Sequence, residues 1–255
     1  RHNGGPAEFC RVQGDGMNYN WNWGVLFEDP YYGWLLSGFG WTVAVALSAW
    51  CIAFVVGCLV GIGRTVPNPT IRAFCTAYVE LFRNIPLLVQ MFLWYFVLPE
   101  ILPDDMGRWM KLNMPNPEFS TAVLALGFYT ASRIAEQVRA GIEAVPTGLA
   151  AASTAHGFST AQTYRYILLP ISLRLIVPPM TSEFLTIFKN SSLALTIGLL
   201  ELLAQSQQIS EYTFQGFEAL TAATVIYVSI ALIGTIIMQL LERFTFIPGY
   251  VGKGG

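Results

Sequence analysis

Apolar residues in this chain come in long runs instead of the short alternations of a soluble protein. A bilayer-crossing helix needs about 20 predominantly apolar residues. The first such run, Trp34 to Gly63, contains no ionisable residue and is closed by Arg64 and the Pro67-Asn68-Pro69 turn. Trp21, Trp23 and Trp34 precede or open it, as an aromatic belt at one membrane interface does. A second run, Ile71 to Leu98, is interrupted at Arg83-Asn84-Ile85-Pro86, where the proline removes a donor and predicts a kink or break. Residues 99–118 are polar and proline-rich, and are not expected to span. A third run begins at Phe119 and becomes charged towards Arg139. After a polar connection over 143–171, a fourth covers Leu173 to Leu200, expected to break at Pro178-Pro179 and carrying Glu183 and Lys189. A loop is expected from Glu201 to about Gly216, before a fifth run from Phe217 to Leu241. The pattern predicts an all-α integral membrane protein of about five transmembrane helices.

Composition agrees. Of 255 residues, 54% are hydrophobic and 12% charged, half the roughly 25% usual in soluble domains. A net charge of -2 gives no reason to expect nucleic-acid binding. Cys10, Cys51, Cys58 and Cys75 lack metal-ligand spacing, so neither a disulfide nor a metal site is expected. Residues 1–16 are polar, with no apolar signal-peptide core, and Met17 is a candidate natural start.

Basic residues set the orientation. One set of connections holds Arg64 and Arg72, then Arg139, Arg165 and Arg174, then Arg243 and Lys253. The other holds Arg108 and Lys111, with nothing basic over 201–216; Arg1 and Arg11 of the terminal segment belong to it too. The first set is therefore expected to be cytoplasmic, with the N-terminus outside and the C-terminus inside. The expected organisation is an extracytoplasmic segment over 1–33, one transmembrane domain over 34–243 and a cytoplasmic tail over 244–255.

The connection over 143–171 is the most informative stretch. Ala150 to Ala155 favours helix and Gly157 suits its left-handed cap. Ser159 and Gln162 have capping-box spacing, so a second short helix is expected to about Leu168, before Pro170. A plain amphipathic connector would satisfy this local chemistry. The segment also resembles the EAA loop of bacterial ABC-importer permeases, in which Glu-Ala-Ala is followed by three residues, Gly, nine residues, Ile, one residue and Leu-Pro. Ala152, Ser153, Gly157, Ile167, Leu169 and Pro170 stand at those positions, Gly148 precedes them, and Ala151 stands where the family carries glutamate.

Further segments carry the resemblance. Tyr78-Val-Glu-Leu-Phe-Arg-Asn-Ile-Pro-Leu-Leu-Val-Gln90 is similar to the Glu-x-x-Arg-Gly-Thr-Pro-x-x-x-Gln signature of polar amino-acid permeases, with Asn84 and Ile85 replacing Gly-Thr. Glu136-Gln-Val-Arg-Ala-Gly141 resembles the stretch preceding the EAA loop. With Lys189-Asn-Ser-Ser-Leu193, Trp21-Asn-Trp-Gly24 and Val177-Pro-Pro-Met-Thr-Ser-Glu183, the resemblance points to glutamate/aspartate permeases. It implies the type I ABC-importer architecture and no catalytic residue or cofactor on this chain. It also implies Mg-ATP hydrolysed by cytoplasmic partner subunits, a second permease subunit, an extracytoplasmic substrate-binding protein, an amino-acid substrate and a bacterial inner-membrane location. The implied ATPase-coupling set is Gly148, Ala151, Ala152, Ser153, Gly157, Ile167, Leu169 and Pro170.

Ionisable residues in a bilayer need a partner or a water-filled face. Glu80 with Arg83, and Glu136 with Arg133 or Arg139, have helical pairing distance and read as structural ion pairs near the cytoplasmic interface. Lys189 lies deep in the fourth run, followed by Asn190, Ser191 and Ser192; Glu183, six residues away, is on another face. Lys189 and its polar neighbours, and Arg83 beside the Pro86 break, are candidates for a substrate path, with helix packing or gating as the other reading.

Two apparent motifs carry no weight. Asn190-Ser-Ser matches a glycosylation acceptor but falls within the membrane, and Gly249–Lys253 lacks the spacing of a phosphate loop. A stand-alone ion-coupled transporter finds no support in an inverted repeat, and a membrane enzyme finds none in converging catalytic residues: the only histidines are His2 and His156.

Overall fold

The structure, a computed structural model, describes residues 19–245. The expectations placed on residues 1–18 and on the tail beyond 245 lie outside the described residues. After a 3-10 turn at Trp23–Phe27, the helices are α1 (Tyr31–Gly63), α2 (Pro69–Asn84), α3 (Leu87–Ile101), α4 (Asp104–Leu112), α5 (Pro117–Glu143), α6 (Thr147–Ala155), α7 (Thr160–Ile197), α8 (Leu202–Thr213) and α9 (Gly216–Thr245). Among the described residues, α1, α7 and α9 are long and apolar enough to cross a membrane, and α2 with α3 forms a bent pair that can count as one more span. The remaining run expected to span lies in α5, whose 27 residues extend about 40 Å but include Glu118, Arg133, Glu136, Arg139 and Glu143.

The core is organised on α1 against α5. Ala49, Ala53, Gly57 and Gly61 recur every four residues on α1, facing Gly127, Ala131 and Ala135 on α5. A Cβ on Gly57 would come within 2.6 Å of Ile134, and one on Gly61 within 2.6 Å of Val138. Lipid offers no hydrophobic drive for helix association, so small residues allow close backbone approach and dispersion holds the pair. Leu47, Leu59, Val225, Leu232 and Ile236 remain exposed, as lipid-facing side chains do.

Prolines act differently at different places. Pro86 ends one helix and opens another, and α2 and α3 meet at 102°. Gln90 secures this corner: its amide donates to Phe82 O at 2.7 Å and Ile85 O at 2.8 Å, two carbonyls the break would otherwise strand. Pro99 and Pro170, in contrast, are each preceded by a five-residue π turn, Leu93–Val97 and Tyr164–Leu168. Proline gives no N–H to the carbonyl four residues back and crowds it, and the wider turn accommodates that loss.

Three expectations change. Pro178 and Pro179 do not break the fourth run, because α7 stays helical through both; fixed helical φ is compatible with continuation when neighbouring helices hold the segment. The short helix expected to stop near Leu168 continues into the span as one 38-residue unit. The region over 201–216 is mainly the helix α8, entered after Gly198 turns the chain at φ 93°.

Candidate functional site

The polar connection between α5 and α7 is a helix hairpin. Gly157 takes φ 81° after α6, and Phe158 N–H returns to Ser153 O at 3.1 Å, closing the helix end. The capping box opens α7: Gln162 N–H donates to Ser159 Oγ at 3.3 Å and Ser159 N–H to Gln162 Oε1 at 2.8 Å. Ser153 is buried, and its hydroxyl meets Thr163 Oγ1 at 3.0 Å, joining the two arms. Gly148, Ala151, Ala152, Gly157 and Pro170 are exposed, whereas Ile167 and Leu169 are half-buried. Small residues make up much of the exposed surface of α6, with Phe158 and Tyr166 exposed beyond it. Tyr164 donates to Thr65 Oγ1 at 3.0 Å, attaching the hairpin to the end of α1.

Of the expected ion pairs, Glu136 with Arg139 forms, whereas Arg83 and Arg133 take other partners. Glu136 is shared by Arg139 on its own helix, Arg64 at the end of α1, and Arg83, whose Nη1 lies 3.4 Å away. Arg83 is therefore not paired with Glu80, which instead accepts a 3.3 Å hydrogen bond from Asn84. Arg133 does not meet Glu136: its Nε and Nη2 donate to Glu183 of α7 at 2.7 and 2.9 Å. Helix spacing along one chain shows only local partners, and α5 against α7 supplies a better one.

Lys189 is exposed and lines a groove of about 510 Å³ with Ser192, Leu203 and Tyr227. The neighbouring hydroxyls are committed elsewhere. Ser191 is buried and donates to Phe188 O at 2.7 Å, and Ser192 donates to Lys189 O at 2.8 Å. Asn190 is half-buried. Arg83 and Lys189 belong to separate clusters.

Two buried carboxylates escaped the sequence reading. Glu201 caps α8, accepting from Leu203 N–H at 3.0 Å, Ala204 N–H at 2.9 Å and Tyr227 OH at 2.7 Å. Glutamate is not a favoured N-cap residue, so nothing in its local sequence announces a helix start. Glu218 accepts from Tyr19 OH and, at 2.8 Å, from Asn22 N–H, tying the entry segment to α9. Burial, and then that carboxylate, push the Tyr19 phenol above its ordinary pKa.

Long apolar helices and a polar hairpin joining α5 to α7 define a multi-span membrane protein. The family of binding-protein-dependent transport system inner membrane components matches residues 53–246, and the chain belongs to it. It is a permease of a bacterial inner membrane; homologous subunits of this kind are not themselves catalytic. The chain is 46% identical over 244 residues to the glutamate/aspartate import permease protein GltJ of Escherichia coli (strain K12), covering 92% of this chain and 99% of that protein. It is 31% identical to a probable glutamine ABC transporter permease protein, GlnM, of Bacillus subtilis (strain 168), covering 87% and 97%. An amino acid ABC transporter crystallised with histidines superposes with a TM-score of 0.74 at 26% identity, over 89% of this chain and all of that one.

Proposed function

We propose that this chain forms half of the translocation pathway of an ATP-driven importer for glutamate and aspartate. The observation that carries the substrate class is 46% identity, across nearly the whole length, to a glutamate/aspartate permease. A second permease subunit completes the pathway, and an extracytoplasmic binding protein delivers the amino acid. Cytoplasmic ATPase subunits dock against Gly148, Ala151, Ala152, Ser153 and Gly157, with Ile167, Leu169 and Pro170 continuing the surface into α7. Ala151 makes that docking independent of the glutamate found elsewhere in the family. In this reading the chain crosses the membrane five times, with its N-terminus outside and C-terminus inside, and Lys189 and Arg83 face the pathway. The exposed small-residue hairpin, pinned to α1 through Tyr164, supports the coupling role.

The test is uptake into proteoliposomes by the complex reconstituted with its ATPase, second permease and binding protein. ATP-dependent uptake of L-glutamate and L-aspartate is expected. Uptake of only neutral polar amino acids would overturn the substrate class, and uptake by this chain alone would overturn the importer reading.

A further inference from the structure

Four large apolar side chains stay exposed on and beside α4, the nine-residue helix between α3 and α5. Met106 and Trp109 are more than half exposed, and Ile101 and Leu112 nearly three-quarters. The helix is firmly seated. Gly107 is buried, and a Cβ there would lie 2.1 Å from Pro99 O, so the backbone of α4 touches the end of α3. Lys111 adds an ion pair to Glu100 at 2.5 Å. With 3.6 residues per turn, that seat fixes the rotation of α4. Met106, Trp109 and Leu112, three residues apart, are thereby turned away from Gly107.

The surroundings of this face say what covers it. Phe96 and Val97 on α3 are also exposed, so apolar surface runs from a membrane segment through Ile101 on to α4. Tryptophan favours the level of the lipid headgroups, where its ring is in apolar contact and its N–H is wet. Exposed Arg108 opens, with Leu102 and Leu112, on a groove of about 280 Å³. Glu100 and Asp104 share that groove, so its charge is mixed and suits a zwitterionic headgroup. Asp104 and Asp105 occupy the first turn, where free N–H groups favour acidic side chains, and mark the end of α4 that stays in water.

We infer that α4 is an interfacial helix lying in the outer leaflet of the membrane. Ile101, Met106, Trp109 and Leu112 reach the acyl chains, and Arg108 reaches the phosphate layer. The partner of this face is phospholipid, not the binding protein or the second permease subunit. This rests on the five-span reading proposed above, in which α3 leaves the membrane on the outer side and α5 re-enters it.

The test uses the complex of both permeases and the ATPase in liposomes of phosphatidylethanolamine and phosphatidylglycerol. With Cys10, Cys51, Cys58 and Cys75 replaced by alanine, a single nitroxide is attached at Met106→Cys, Trp109→Cys or Leu112→Cys. Asp104→Cys is the water-side control. Collisions with oxygen, which concentrates in lipid, are compared with collisions with a water-soluble nickel chelate. The oxygen-to-nickel ratio at the three apolar positions is expected to exceed the control by about five-fold or more. Adding the binding protein should leave it within about two-fold.

A ratio equal to the control would place the helix in water and overturn the inference. Low access to both reagents, or an oxygen effect lost on adding the binding protein, would assign the face to a protein partner and also overturn it. Failure of all three labelled chains to assemble would do the same. Sidedness is read separately: a membrane-impermeant maleimide added to spheroplasts is expected to modify Asp104→Cys. Oxygen-favoured labels without that modification would overturn the proposed orientation alone.

Discussion

The hydroxyl of Tyr164 lies 3.0 Å from Thr65 Oγ1, and this bond joins the first turns of α7 to the end of α1 although 99 residues separate the two. Thr65 in turn donates to Ile62 O at 2.8 Å, anchoring the contact in α1 itself. Beside Thr65, Arg64 reaches Glu136, which Arg83 also approaches from the corner between α2 and α3. A displacement of the hairpin therefore meets three helices within a few residues.

Tyr164→Phe removes only the hydroxyl. A stability loss of about 1 kcal/mol is expected, the net worth of one hydrogen bond. Basal ATPase activity of the reconstituted complex should stay within two-fold, while amino acid imported per ATP hydrolysed falls. An unchanged ratio would show that the bond does not transmit the motion.

Glu136→Gln leaves Arg64, only 9% exposed in its side chain, without its carboxylate. A loss of about 2 kcal/mol is expected, in the range for hydrogen bonds to charged groups. Lys111→Gln, which breaks a pair whose side chains are 45% and 66% exposed, should change stability by less than about 0.5 kcal/mol. Thermal unfolding of the two variants in one detergent compares them.

Gly57→Val places a branched side chain where even a Cβ would lie 2.9 Å from Ala131 O. A loss of at least about 3 kcal/mol and poor recovery of folded protein are expected, because the backbones of α1 and α5 must separate. Gly40→Ala is the control: no atom lies within 4 Å of its added Cβ, and no loss is expected. Size-exclusion recovery and Tm together decide the comparison.

Gln90→Leu strands the carbonyls of Phe82 and Ile85 at the 102° corner. The expected cost is about 2 kcal/mol, that of unsatisfied buried polar groups. Spin labels on α2 and α3 should report a broader distance distribution than in the parent protein; an unchanged distribution would mean Pro86 alone sets the bend.

Much of this protein is determined locally. Apolar runs longer than 20 residues leave lipid as the solvent, and Pro86 after Asn84-Ile85 marks the break that the structure shows there. Gly157, Ser159 and Gln162 specify the hairpin because caps are made between residues three to five apart. The spacing of the same hairpin, with its resemblance to a permease loop, carried the function.

Helix spacing gave Glu136 its Arg139, but only the tertiary structure decided which charges meet between helices. Arg133 had Glu136 within helical reach in sequence, but the packing of α5 on α7 gives it Glu183, while Glu136 takes arginines from α1 and α2. The continuity of α7 through Pro178-Pro179 and the helix over 202–213, capped by Glu201, were likewise hidden. The reason is physical: in a low-dielectric interior each ionised or hydrogen-bonding group takes the partner that best satisfies it in space. Arg64, Arg133 and Gln137 find their carboxylates 46 to 72 residues away, beyond the reach of any periodicity in the sequence.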